Sequence, residues 1–412
     1  MLTMILNRKK RLNLVDFTHF MCSEQLFKKE RAILQYSSHQ YRNTDKFHLH
    51  QNKLGHNAVY NIAYSREGNI VLAGYEGGSI SAFHPLIPEV KPLFTNENAH
   101  LDSVNGFHFI SSTKFASCSD DTTVKIWDVR FFRNPIQTLT ELSDWAKNIH
   151  YNSERKLLIT SALHKRIAIY ELNNDVFQPV ILLDHKNDLL RTALMRNNDT
   201  LFLTEYNTGR LHCIKDFDKY LQRIREHSKE AISHWRISEE DLTQTSYAFE
   251  ASDSEQEAFQ KTFVSSLTPH PLDWCIAVRG IRQLNSTNYT CVFDMHSPSN
   301  GCSKPTAYAR PTLTHYHKES NVRRDFIKEI SFSCDGRVIA SPLAKGFRLF
   351  GFGTDCPHYA PIKLNDITEL TTIYEHYDRS EGYVYTAKFS PTDYHLVIGC
   401  SKGTVKFCYP RL

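Results

Sequence analysis

Phe115-Ala-Ser-Cys-Ser-Asp-Asp-Thr-Thr-Val-Lys-Ile-Trp127-Asp128-Val-Arg130 is the stretch on which the reading of this chain turns. Two alternating runs, Phe115–Ser119 and Val124–Trp127, flank a Ser-Asp-Asp-Thr-Thr turn, the pattern of a β-hairpin packed on one face. Just ahead lies a third alternating run, Val104-Asn-Gly-Phe-His-Phe109, which ends on an aromatic. Runs of the same form occur at Val59–Tyr64, Ala146–Tyr151 and Val384–Phe389. After each comes a turn, a second strand, another turn and a third alternating strand. The third strands are Ser79–Phe83, Val124–Trp127, Ile167–Tyr170, Leu211–Ile214, Cys291–Phe293, Phe347–Phe350 and Val405–Cys408. The slot of Trp127 is therefore taken in the other copies by Phe83, Tyr170, Ile214, Phe293, Phe350 and Cys408.

Copies recurring at intervals of about 40–70 residues match the period of WD repeats with loop insertions. The expected fold is all-β, a seven-bladed WD-repeat β-propeller with a short N-terminal helical extension. A β-sandwich would alternate as well, but it does not call for one large-residue slot in every copy. The last copy ends at Leu412 with three strands, and Lys46-Phe-His-Leu-His-Gln51 is the expected fourth, which would close the ring and remove an exposed sheet edge. The division read from this is an extension over residues 1–45 and a propeller over 46–412. A polar, acidic segment at 219–260 is read as an insertion between copies four and five, outside the blades and either partly helical or disordered.

Composition narrows the function classes. Lys and Arg number 49 against 45 Asp and Glu, a net charge of +4, which argues against a protein that coats nucleic acid or an acidic membrane. Asn321-Val-Arg-Arg-Asp325 is too small a cluster for a phosphate track. The ten cysteines stand singly, without a CxxC pair, and suit a reducing compartment. No apolar run reaches membrane-spanning length, and the expected location is intracellular, in nucleus or cytoplasm, with Arg8-Lys9-Lys10-Arg11 as a candidate import signal. None of the 21 histidines has metal-like spacing, and no nucleophile elbow, P-loop or zinc-protease motif occurs. Asp102, Glu319 and Asp378 are read as ordinary residues of loops leading into first strands. The expectation is a protein that is not an enzyme, without catalytic residues, metal ligands or cofactor.

The second copy resembles a full WD repeat. His100, Ser117, Asp121 and Trp127 match the buried polar set of that family, which implies one hydrogen-bonded chain fixing the blade. Phe115 to Arg130 also resembles the sixteen-residue box of substrate receptors of cullin-4 ubiquitin ligases. Ala99–Arg130, Trp145-Ala-Lys-Asn-Ile149, Leu313-Thr-His-Tyr316 with Asn321-Val322 and Phe326-Ile-Lys-Glu329, and Thr386–Pro391 onward extend the likeness to the DDB- and cullin-4-associated factor 10 family. The resemblance covers most of the chain from about His56 to Leu412. It implies a receptor that binds the adaptor damage-specific DNA-binding protein 1 and presents a protein substrate to the cullin-4 RING ligase, with Asp128 and Arg130 at the adaptor. Vertebrate members carry a long Ser-rich insertion where this chain has the shorter 219–260, and its N-terminal region differs from theirs, so substrate and regulation are not carried over. The apolar periodicity over residues 12–34 suggests one or two short amphipathic helices for an adaptor groove, the alternatives being a cover for the propeller's own edge or disorder. Asp102–Val104 and Tyr377–Tyr383 are candidate mouth loops for substrate. The alternative function is a general WD-repeat interaction scaffold with no link to ubiquitination.

Overall fold

Seven antiparallel sheets of four strands each repeat around a ring, two of them extended by a fifth strand, in a computed structural model. It describes residues 42–48, 57–86, 91–194, 200–206, 210–227, 231–238, 240–247, 262–271, 275–282, 287–294, 312–319, 329–352, 367–377 and 382–409. Blade 1 is built from Val59–Tyr64, Val71–Tyr75, Ile80–Phe83 and Pro92–Asn96, and blade 2 from Val104–Phe109, Lys114–Ser119, Val124–Asp128 and Gln137–Leu139. In each blade the first strand is innermost, and the core lies between neighbouring blades. One such layer stacks Leu72, Ile80 and Ala82 of blade 1 on Val104, Phe107, Phe115 and Trp127 of blade 2. The seven-bladed all-β architecture is the one expected from the repeat.

The repetition extends to backbone irregularities. The pairing of the first and second strands is interrupted by a bulge at the same place in six blades: Val59/Asn61, Val104/Gly106, Ala146/Asn148, Leu189/Arg191, Val264/Ser266 and Val384/Thr386. A second bulge falls against the large-residue slot, at Phe83, Tyr170, Phe293 and Phe350. Bulges bend a strand and sharpen its twist, which a blade needs to pack obliquely on its neighbour. All seven slot residues, Phe83, Trp127, Tyr170, Ile214, Phe293, Phe350 and Cys408, are buried.

Two boundaries differ from the sequence reading. The closing strand is Arg42–His48, antiparallel to Thr404–Tyr409, so the propeller begins ahead of residue 46 and takes the last residues assigned to the extension. Of the 219–260 segment, the described residues up to 247 are built onto blades 3 and 4. Helix α1 (Phe217–His227) buries Phe217, Tyr220, Leu221 and Ile224 against Leu157, Ile159, Leu201 and Leu203. Ser233–Arg236 then runs parallel to the outer strand of blade 3, and Thr243–Tyr247 is the outer strand of blade 4. Helix α1 is the helical part read in the segment; polar composition concealed the two strands, which need only one packed edge. Thr368–Glu369 repeats the device, adding a parallel strand to blade 5 on the way to the outer strand of blade 6, Thr371–Tyr377. Both detours cover an edge that would otherwise offer unpaired backbone groups. The proposed helices of residues 12–34, the Arg8–Arg11 cluster and Asp378 lie outside the described residues. Among the described residues, no helix is long and apolar enough to cross a membrane.

Candidate functional site

The hairpin of blade 2 brings His100, Ser117, Asp121 and Trp127 into one chain of hydrogen bonds. Trp127 Nε1–H donates to Ser117 Oγ at 2.8 Å, Ser117 lies 2.7 Å from His100 Nε2, and His100 Nδ1 lies 2.8 Å from Asp121 Oδ2. Only one proton arrangement satisfies every member: the indole donates to the hydroxyl, the hydroxyl to Nε2, and Nδ1–H to the carboxylate. Burial holds the His100 imidazole below its usual pKa, in keeping with that neutral tautomer. Burial alone would raise the Asp121 carboxyl, but hydrogen bonds from His100, Thr123 and the Leu101 backbone hold it well below the usual carboxylate range. Gly78, in the hairpin of blade 1, has φ +83° and its carbonyl accepts from His100 N–H at 2.9 Å; a Cβ there would stand 2.3 Å from the His100 carbonyl oxygen. The histidine loop is thus pinned on both sides, by its own blade and by the one before.

The end of the third strand turns this rigidity outward. Asp128 is only 5 % exposed, and its carboxylate takes Arg130 Nε at 2.8 Å, Arg130 NH2 at 2.5 Å and the Arg130 backbone N–H at 2.9 Å. The Arg130 fork holds the Asp128 carboxyl below its ordinary range. The Arg130 side chain remains 60 % exposed. Asp128 therefore aims Arg130 and does not itself face outward. Phe131, next in sequence, is 75 % exposed, whereas Phe132 turns inward to lie 5.1 Å from Trp127 and 5.7 Å from Phe115 between ring centroids. The turn is anchored by one phenylalanine and displays the other beside a fixed guanidinium.

Two charged groupings carried no signal in the sequence. Glu329 is met by Asn61 Nδ2 at 2.6 Å, Lys388 Nζ at 3.1 Å and Arg191 NH1 at 3.2 Å, groups from blades 1, 7 and 4, so it ties the ring across its axis. Glu319, read as a loop residue, is instead the last residue of the Thr312–Glu319 strand and is 1 % exposed. Arg279 NH2 donates to it at 3.1 Å and Arg279 NH1 to the Pro342 carbonyl at 2.8 Å, joining blades 5 and 6. Asp102 is an exposed loop residue, as read. His185, Glu205 and His212 also converge, with ligand-capable atoms within 4.8 Å of one another.

Comparison with known proteins agrees with this geometry. The model of the WD domain, G-beta repeat, matches residues 91–128, the outer strand of blade 1 and the first three strands of blade 2, with the polar chain and Asp128. The protein named DDB1- and CUL4-associated factor 10 from Xenopus tropicalis is 29 % identical over 404 residues, covering 86 % of this chain and 85 % of its own. Its Homo sapiens counterpart is 29 % identical over 401 residues, 86 % of this chain and 70 % of its own. Among solved structures, the β-propeller domain of Cps50 (Swd1) from Myceliophteria thermophila superposes with a TM-score of 0.62 at 11 % identity, covering 90 % of this chain and all of that one, a likeness of fold. The chain is a seven-bladed WD-repeat propeller and, over most of its length, similar to the proteins named DDB1- and CUL4-associated factor 10.

Proposed function

We propose that this protein is a non-catalytic substrate receptor of a cullin-4 RING ubiquitin ligase and docks on the adaptor damage-specific DNA-binding protein 1 through Arg130. The observation that carries the reading is the exposed guanidinium of Arg130, clamped by a buried Asp128, in a chain related over most of its length to proteins named for that association. A held guanidinium offers a planar fork to carboxylates or carbonyls without the entropy cost of ordering a free side chain. The exposed Phe131 ring supplies an apolar neighbour of the kind that arginine anchors have at interfaces.

Strand direction separates the two tasks of a receptor. First and third strands of a blade run the same way, so the end of the third strand opens on the face opposite the loops that enter the first strands. Arg130 and Phe131 occupy one face; Leu101, 93 % exposed, and Trp145, 47 % exposed, stand on entry loops at the other. We assign that second face, with the Asp102–Val104 loop, to the protein substrate. The receptor performs no bond chemistry: it raises the local concentration of substrate beside the ligase's ubiquitin-loaded partner, and it needs no cofactor for that.

The test is co-purification of the adaptor with the full chain carrying Arg130→Ala. Adaptor recovery falls tenfold or more, on the order expected of an arginine anchor, while the chain stays folded and its melting temperature falls by only a few degrees, the cost of leaving the Asp128 carboxylate without its side-chain partner. Undiminished recovery from a folded variant removes Arg130 from the interface and leaves the scaffold reading.

A further inference from the structure

Blade 4 repeats the framework of blade 2 with other residues in the positions of its polar chain. His185 stands four residues ahead of Leu189, as His100 stands four ahead of Val104, and each donates its backbone N–H to the hairpin of the preceding blade, at Lys165 O and Gly78 O. Strand register puts Leu203 where blade 2 has Ser117, Ile214 where it has Trp127, Glu205 where it has Ser119 and His212 where it has Lys125. The hydroxyl and indole that engage His100 thus have no counterpart here. His185 is 3 % exposed; its Nδ1 lies 3.0 Å from the Asn187 carbonyl oxygen, and its Nε2 has no hydrogen-bond partner. That nitrogen lies 3.9 Å from Oε1 of Glu205, a residue wholly shut off from water. His212 Nε2 approaches the same oxygen at 2.9 Å, and its Nδ1 also lacks a partner.

Nδ1 of His185 is engaged by Asn187 alone, its carbonyl oxygen at 3.0 Å and its backbone N–H at 3.1 Å, and in the tautomer that donates to the carbonyl Nε2 aims a lone pair at a carboxylate oxygen, an arrangement that a cation between them relieves. We propose that His185, Glu205 and His212 bind a zinc ion inside blade 4, a metal cross-link in the place of the hydroxyl–indole link of blade 2. The donor set of two imidazoles and one carboxylate leaves a fourth position for water and suits zinc better than magnesium or calcium. Tetrahedral zinc with bonds of about 2.0–2.1 Å sets neighbouring ligand atoms about 3.3 Å apart, and the observed 2.9 and 3.9 Å bracket that spacing. The Asn187 carbonyl on Nδ1 is the outer partner that orients a ligating histidine, and Asn187 Nδ2 donates to Glu205 Oε1 at 3.0 Å. The ion would fasten the loop entering blade 4 to its second and third strands, a task separate from adaptor docking.

The test is elemental analysis of the full chain, purified without chelator and with any affinity tag removed. About one zinc per chain is expected, falling to below about a tenth in His185→Ala and His212→Ala. Because those variants risk misfolding, the parent is also melted before and after dialysis against a strong chelator, and the dialysed protein is titrated with cobalt(II). A melting temperature that drops on chelation and returns with zinc, with a tetrahedral cobalt band absent from Glu205→Gln, supports the site. A parent chain without zinc whose melting is indifferent to chelator and added zinc, or zinc retained in both histidine variants, overturns it.

Discussion

Ser117→Ala removes a single oxygen, yet that oxygen connects two buried groups. Ser117 is 0 % exposed, and its hydroxyl accepts from Trp127 Nε1–H and donates to His100 Nε2. Alanine fits the space, so the cost is that of two orphaned polar atoms, each about 1–3 kcal/mol, or about 2–6 kcal/mol together. Unfolding entropy of about 2.1 cal/mol/K per residue makes about 0.9 kcal/mol/K for a chain of 412 residues. The melting temperature should therefore fall by about 2–7 °C. Ser111→Ala, at an exposed turn where the hydroxyl accepts from the Thr113 and Lys114 backbones, serves as control and should move it by less than about 1 °C. Differential scanning fluorimetry gives the shift, and hydrogen exchange of the 115–130 segment tells whether the loss sits in blade 2. If Ser117→Ala shifts no more than Ser111→Ala, or if protection is lost elsewhere, the polar chain is not what orders the hairpin.

Asp128→Ala frees Arg130 without removing it; adaptor binding should weaken severalfold, less than for Arg130→Ala, as read by surface plasmon resonance. Leu101→Asp and Trp145→Asp should leave adaptor recovery intact while ubiquitination of captured substrates falls, which proximity labelling under neddylation blockade would report. Truncation of residues 1–41, which spares the closing strand, should reduce adaptor pull-down; undiminished binding would remove the docking role expected of residues 12–34. Arg279→Met, which strands a buried Glu319, should cost about 3–5 kcal/mol in urea unfolding, and far less when combined with Glu319→Leu. Stability should fall on acidification. Burial lowers the His150 imidazole to about 4, with Thr192 O accepting from Nε2–H. The unfolded chain therefore binds the proton first, and stability present above about pH 6.5 is lost down to pH 4, by at most about 3 kcal/mol from this group. His100 and Asp121 act in the same direction, so a protein more stable at pH 5 than at pH 7.5 contradicts the assignment.

What was legible in the sequence was whatever repeats. The alternating strands and the large-residue slot identify the blades because each copy must bury one face against the next, and that demand recurs at a fixed spacing. The closing strand was legible from the missing fourth strand, with its start misplaced because pairing sets strand ends more than composition does. Within 219–260 the helical part was legible, whereas the strands Ser233–Arg236 and Thr243–Tyr247 were not, because an edge strand needs few hydrophobic residues. Arg279, Glu319 and Glu329 were invisible for another reason. Their partners lie 40 residues away for Arg279 and Glu319 and 268 for Asn61 and Glu329, so only the closed ring brings them together. His185, Glu205 and His212 keep no motif spacing either, being recruited from a loop and two strands.

Taken blade by blade, the same framework closes its buried polar groups in different ways: a hydroxyl and indole in blade 2, an arginine–glutamate pair between blades 5 and 6, and in blade 4 two imidazoles and a carboxylate. The choice of blade 2 for the exposed arginine follows from that contrast. A docking side chain is only as well placed as its backbone, and Asp128 pairs with Lys114 at the strand end immediately after Trp127, whose ring is fixed by Ser117, Phe115 and Phe132. The neighbouring hairpin holds the His100 loop through Gly78, so the scaffold under Arg130 is constrained from two blades. In blade 4 the corresponding slot holds Ile214, and the chain leaves it for a helix rather than for a turn carrying a clamped arginine. The copy in which the repeat pattern is fullest is thus the copy rigid enough to present a guanidinium, which explains why the features that reveal the fold and the residue assigned to docking share one hairpin.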